Sequence, residues 1–190
     1  MIIVKKLIDW TEVLDSARVT ANKALNFTYP SEEFIKRMIL AEHSPLRMVM
    51  YSIYWTEIKS WIATHLLRHH VGTQPFVGTQ REDRTGIPHS ERKRDELIPF
   101  MFIVNAQSII NISKERLCKL ASPETTQEWT MALLKLSHID SLLVDKCVSK
   151  CVYRGFCPEA NCCNFVRSKT YKTVRSNYIK GGILPLEGDD

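Results

Sequence analysis

The run from Leu46 to Trp55, dense in β-branched, Met and aromatic side chains, reads as a buried strand and sets the frame for the rest of the chain. Thr56 can cap a helix directly after it, in which Ile58, Trp61, Ile62, His65 and Leu66 fall at helical spacing. That apolar, Trp-rich segment ends on Arg68-His69-His70, and a Gly- and Thr-rich loop from Val71 onward delivers Arg81. A core has no use for such an ending, but an anion does. Arginine presents a rigid fork of donors that matches phosphate oxygens, and glycine lets backbone N–H groups come close to a ligand. Positive charge also suits a helix C-terminus.

Other elements follow from spacing. Ile2 to Leu7 reads as a short strand, and Thr11 to Ala24 carries helical spacing. Ser31, followed by Glu32 and Glu33, opens a helix whose face is Phe34, Ile35, Met38 and Ile39; His43-Ser44-Pro45 breaks it. Residues 81–96, with five acids and five bases and no apolar period, read as a loop, either a lid or interface segment or simply solvated. Ile98 to Val104 is apolar, Asn105 to Ala121 reads as a helix, and Ser122-Pro123-Glu124 starts another.

The helix from Asn105 carries two polar stripes. At about 100° per residue, Asn105 and Arg116 fall about 20° apart, while Gln107 and Asn111 share a different stripe. Amides present donors and acceptors together, which suits a heterocycle edge; a partly exposed helix with polar surface residues gives the same pattern.

A chain of 190 residues with 44% hydrophobic and 25% charged residues fits one soluble globular core. No apolar run reaches the ~18 residues of a membrane span, and the N-terminal apolar stretch is too short for a signal peptide, so a cytoplasmic location is the expectation. The net charge of +5 is concentrated: residues 164–180 hold five bases and no acid. That tail suits nucleic acid, a phosphorylated small molecule, an acidic subunit or plain solvation. Five of the six cysteines fall between Cys147 and Cys163, and in a reducing compartment such density implies thiols or metal ligands. Cys147, Cys151, Cys157 and Cys162 (or Cys163) can supply a tetrahedral zinc site; an iron–sulfur cluster and a set of packed free thiols are the alternatives. Cys118, read as mid-helix, is taken as a small core residue.

Taken together, the segments from Ala17 to Trp129 resemble the flavin-dependent thymidylate synthases, the ThyX family. Arg68-His69-His70 is similar to that family's Arg-His-Arg, with His70 in place of the second arginine. Ala17-Arg18-Val19-Thr20 resembles its Ala-Arg-Val-Ser turn, and His43-Ser44-Pro45-Leu46 its Glu-Thr-Pro-Phe element. Asn105-Ala106-Gln107-Ser108, then Asn111 and Arg116, resembles its Asn-Ala-Arg-Ser…Asn…Arg helix. Thr79-Gln80-Arg81 aligns with Ser-Gly-Arg after one inserted residue. Gln107 departs from the family's arginine and His65 from its glutamine.

The resemblance implies an α+β fold of the ThyX kind, a central, mostly antiparallel sheet packed with helices, plus a small Cys-rich C-terminal segment. Residues 1–146 would form the flavin- and nucleotide-binding domain, and 147–190 the Cys-rich segment and basic tail. The implied reaction is FAD-dependent methylation of dUMP to dTMP, with methylenetetrahydrofolate and NADPH as co-substrates, in a homotetramer whose sites are shared between chains. Thr20, Ser44, Arg68, His69, His70, Asn105 and Asn111 would meet the flavin. His65, Thr79, Gln80, Arg81 and Arg116 would meet the nucleotide, with Arg116 stabilising negative charge on the activated pyrimidine. The alternatives are methylation of another pyrimidine nucleotide, such as a dCMP-like base, and a nucleic-acid-binding protein on the same fold.

Overall fold

The computed structural model describes residues 1–180; the end of the basic tail, 181–190, lies outside the described residues. Strands β1 (Ile2–Ile8), β2 (Met50–Lys59), β3 (Thr73–Val77) and β4 (Leu97–Asn105) form one antiparallel sheet in the order β1-β2-β4-β3. The period-2 rule is visible in β2, where Tyr51, Ile53 and Trp55 are buried, and in β4, where Ile98, Phe100, Phe102 and Val104 are buried. These two central strands register Trp55 opposite Phe100, whose rings stack at 5.5 Å. The helices cover that face.

Helix α1 (Trp10–Thr20) buries Trp10 and Val13, and α2 (Glu32–Ala41) buries Ile35, Met38 and Ile39. Ser31 caps α2 by accepting from the Phe34 N–H, as its position before two acids implied. Helix α3 (Ser60–Leu67) follows β2, α4 (Glu82–Thr85) interrupts the charged loop, and α5 (Ala106–Arg116) follows β4. Next come α6 (Pro123–Ser137), α7 (Ser141–Val144), α8 (Lys150–Arg154) and α9 (Lys169–Ile179). Trp129 of α6 is fully buried and donates its indole N–H to Ser113 Oγ of α5 at 3.0 Å, joining the two helices. Asp140 lies under α1 and the sheet, accepting from Trp10 Nε1 at 2.7 Å and Tyr51 OH at 2.6 Å and pairing with Lys6 at 2.8 Å. A second, smaller apolar cluster gathers Cys151, Val152 and Tyr171 with Phe165, Val166 and Val174.

Five sequence expectations are corrected. Helix α1 stops at Thr20 rather than Ala24, because the backbone turns over at Asn22 with φ 55°. The strand expected from Leu46 begins at Met50, since Pro45 opens a 3-10 turn over Ser44–Met48. It then continues through Thr56, which is no helix cap: its N–H donates to Met1 O at 3.0 Å and keeps the segment paired. The supposed loop at Thr73 to Val77 is an edge strand, where Pro75 is tolerated because one side of the strand has no partner. Helix α5 ends at Arg116, not Ala121, so Cys118 lies beyond the helix.

Candidate functional site

The site is built where the end of α3 meets α5. Arg68 is the C-cap of α3, so the cationic cluster sits at a helix C-terminus. The turn that follows is pinned to the start of α5. Asn105 caps α5 by accepting from Ser108 N–H at 2.8 Å, its own N–H donates to Gly72 O at 3.1 Å, and Ser108 Oγ donates to Val71 O at 2.7 Å. Gly72 has φ +68°, and a Cβ there would come within 2.3 Å of Asn105 Nδ2. Only glycine combines that backbone and that approach. The Asn105 side-chain oxygen Oδ1 is thus already used in capping.

From this lock Arg116 reaches back three turns along α5. Its Nε donates to His69 Nε2 at 2.9 Å and its Nη2 to the His65 carbonyl at 2.6 Å; Nη1 has no partner among the described residues. His65 Nδ1 is 2.9 Å from the buried hydroxyl of Thr125 in α6, and its ring meets Trp61 edge-on. Burial, and then the Arg116 guanidinium, hold the His69 pKa down to about 4. His65 is lowered by burial first, then by Arg116, Arg68 and Arg94. Arg116 itself is lowered by burial and by Arg68. At neutral pH the cluster therefore carries its charge on arginines, with His69 a neutral acceptor.

Two clefts flank this arrangement. One, of ≈ 500 Å³, is lined by Trp61, His65, Arg68, Gln80 and Arg94 among others. The guanidinium groups of Arg68 and Arg94 have no hydrogen-bond or ion-pair partner among the described residues, and Arg94 lies 5.9 Å from the Trp61 ring centroid. Two unpaired guanidinium groups beside an aromatic face form a donor set that fits phosphate next to a stacked ring. The other cleft, of ≈ 270 Å³, opens on His69, Glu115 and Arg116.

Within one chain the remaining candidates stand elsewhere. Gln80 lines the first cleft while donating to Glu96 at 3.0 Å, whereas Arg81 is bound by Asp83 at 2.7 and 2.9 Å and Thr79 Oγ1 accepts from the Arg81 N–H. His70 is exposed and turned onto the Arg68 carbonyl. Thr20 donates to Ala17 O, and neither Thr20 nor Ser44 is hydrogen-bonded to the cluster among the described residues. Asn111 faces Gln107 and Lys114, both of which bind Glu42, so the second stripe makes a surface network of its own.

The proposed metal set needs correction. Cys147 belongs to the main core, its thiol donating to Leu143 O and pushed up to about 12 by burial, while Cys151, Cys157 and Cys162 lie around the smaller cluster. Among the described residues no three His, Cys, Asp or Glu side chains are placed to hold an ion. Arg94 and Thr125 were missed by sequence reasoning. Arg94 was hidden in a loop of mixed charge, and nothing local distinguishes Thr125 in the first turn of its helix.

Flavin-dependent thymidylate synthase ThyX from Helicobacter pylori, complexed with FAD and dUMP, matches this chain with a TM-score of 0.62 at 13% identity, over 78% of this chain and 99% of that one. The chain has a ThyX-like fold. A UMP/dUMP methylase, PolB, from Streptomyces cacaoi, bound with 5-Br dUMP, matches with a TM-score of 0.56 at 11% identity, covering 76% of this chain and 94% of that one. No protein-family model and no curated protein matches by sequence. At these identities the ThyX-like fold is what is shared. No helix among the described residues is long and apolar enough to cross a membrane.

Proposed function

We propose that the chain is a flavin-dependent pyrimidine nucleotide methylase that converts dUMP to dTMP, with methylenetetrahydrofolate as carbon donor and NADPH as reductant. The observation that carries this reading is the fork of Arg116, fixed by His69 and the His65 carbonyl beside the unpaired guanidinium groups of Arg68 and Arg94. It stands on a fold shared with an enzyme complexed with FAD and dUMP. FAD, when bound, would supply the reducing equivalents. Arg68 and Arg94 hold phosphate oxygens, and Trp61 offers a ring for stacking. Arg116 turns its remaining N–H groups toward the pyrimidine carbonyl edge, where negative charge develops as C5 is activated. His69, neutral, holds that fork in one orientation without adding charge. Thr20, Ser44, His70, Asn111, Thr79 and Arg81 contribute across subunits of a homotetramer, which accounts for their making no hydrogen bond to Arg116 within one chain.

The second reading, methylation of a different pyrimidine nucleotide, is favoured by the likeness to a UMP/dUMP methylase and by Gln107, whose amide is taken up by Glu42. The test is the visible spectrum of the purified protein, then turnover with dUMP, UMP and dCMP under methylenetetrahydrofolate and NADPH. A yellow protein that makes dTMP supports the first reading, and methylation of UMP or dCMP alone supports the second. A colourless protein that FAD does not bind defeats both. Light scattering tests the tetramer.

A further inference from the structure

Five of the six cysteines line one cavity. Cys118 comes from the turn after α5, Cys151 from α8, and Cys157, Cys162 and Cys163 from the segment leading to α9. These thiols are brought together from positions far apart in sequence, and Cys147, the sixth, is excluded because it lies in the main core. Lys119, Lys150 and Glu159 line the same cavity, and Lys150 pairs with Glu115 at 2.5 Å and lies 4.0 Å from Glu159. The Asn164 N–H donates to Cys162 Sγ at 3.3 Å.

We propose that Cys118, Cys151, Cys157 and one sulfur of the Cys162–Cys163 pair form a structural zinc site. The cavity measures ≈ 10 Å³. That is about the room one water requires, which suits a single ion. As placed, no three ligands surround a common point. Ligation draws the sulfurs inward by side-chain rotation, and Cys118, Cys157, Cys162 and Cys163 are only partly buried or exposed, which leaves them free to turn. Each ligating thiol gives up its proton to solvent as the Zn–S bond forms. No position stays open for substrate, so the ion is structural. Its consequence is mechanical. Cys118 lies two residues beyond Arg116, so the ion ties the end of α5 to the C-terminal segment.

The proposal is independent of the methylase reading, and metal analysis tests it without an activity assay. The full chain purified without chelators is expected to hold about one zinc and no iron per chain. Cys118→Ala loses the zinc, whereas Cys147→Ala keeps it. Cobalt substituted into the wild-type chain gives the sulfur-to-cobalt charge-transfer band and the intense visible bands of a tetrahedral thiolate site, a readout that does not depend on any variant folding. Zinc at background in the wild type, an iron-containing brown protein, full zinc in Cys118→Ala, or the weak spectrum of octahedral cobalt overturns the proposal.

Discussion

Arg116 Nε donates to His69 Nε2 at 2.9 Å, using that nitrogen as an acceptor, while burial first and the guanidinium second hold the ring neutral. A run that reads in sequence as three cationic or ionisable side chains holds its middle member, His69, neutral in the fold, and the second arginine is brought in from α5. The site's charge is therefore assembled by tertiary contact.

A pH dependence follows from His69. Its folded pKa, about 4, lies below the ordinary imidazole value of 6.5. The unfolded chain thus takes up a proton before the folded one does. The stabilisation from a neutral His69 is fully present above about 6.5 and is lost as the pH falls toward 4. Denaturant titrations from pH 7 to 4 are expected to show this slope in the wild type and a shallower one in His69→Gln. Equal slopes would remove the assignment.

Replacing Arg116 by lysine keeps the charge and breaks the fork. An ammonium cannot hold His69 and the His65 carbonyl while presenting a further planar donor pair. Arg116→Lys is expected to lower kcat by roughly 10²–10³, the usual cost of a lost transition-state donor, with a smaller change in nucleotide KM. A drop confined to KM would place Arg116 in ground-state binding instead.

Local chemistry made much of this fold legible. The Ser31 cap, the Pro45 break, the apolar β4 and the Asn105 helix start all rest on signals within a few residues. The two stripes on α5 were also readable, because helical geometry alone separates Arg116 from Asn111. Thr56 was misread because a threonine before a helical-looking run resembles a cap, and its pairing with Met1 is a contact 55 residues away. Strand β3 was hidden by Pro75, which only an edge position allows. Arg94 and Thr125 reach the site through tertiary packing that no spacing rule encodes.

Gly72 is expected to resist substitution. Gly72→Ala puts a Cβ 2.3 Å from Asn105 Nδ2 and 2.5 Å from Ser108 Oγ at a backbone angle of φ +68°. Left-handed strain and a displaced cap each cost of order 1–2 kcal/mol. The variant should be less stable by a few kcal/mol in urea, and ligand binding should weaken because the Arg68–His70 turn shifts. An unchanged midpoint would mean that the turn relaxes freely.

Asp140 offers a test of the scaffold apart from the site. It is 6% exposed and collects Trp10 Nε1, Tyr51 OH and Lys6 Nζ, while its other oxygen accepts from the Leu143 N–H at 3.4 Å to start α7. Burial and the carboxylate together raise the Tyr51 pKa well above the ordinary phenol range, so the phenol remains a donor. Asp140→Ala leaves a largely buried ammonium and two buried donors unpaired, and breaking such a pair from one side costs about 3–5 kcal/mol. Lys6→Met removes the charge that needs a partner and leaves Trp10 and Tyr51 bound, so its loss should be smaller. In the double variant the Lys6 part of the penalty should disappear, making the two changes less than additive. Full additivity in denaturant titrations would show that Lys6 and Asp140 do not act on each other.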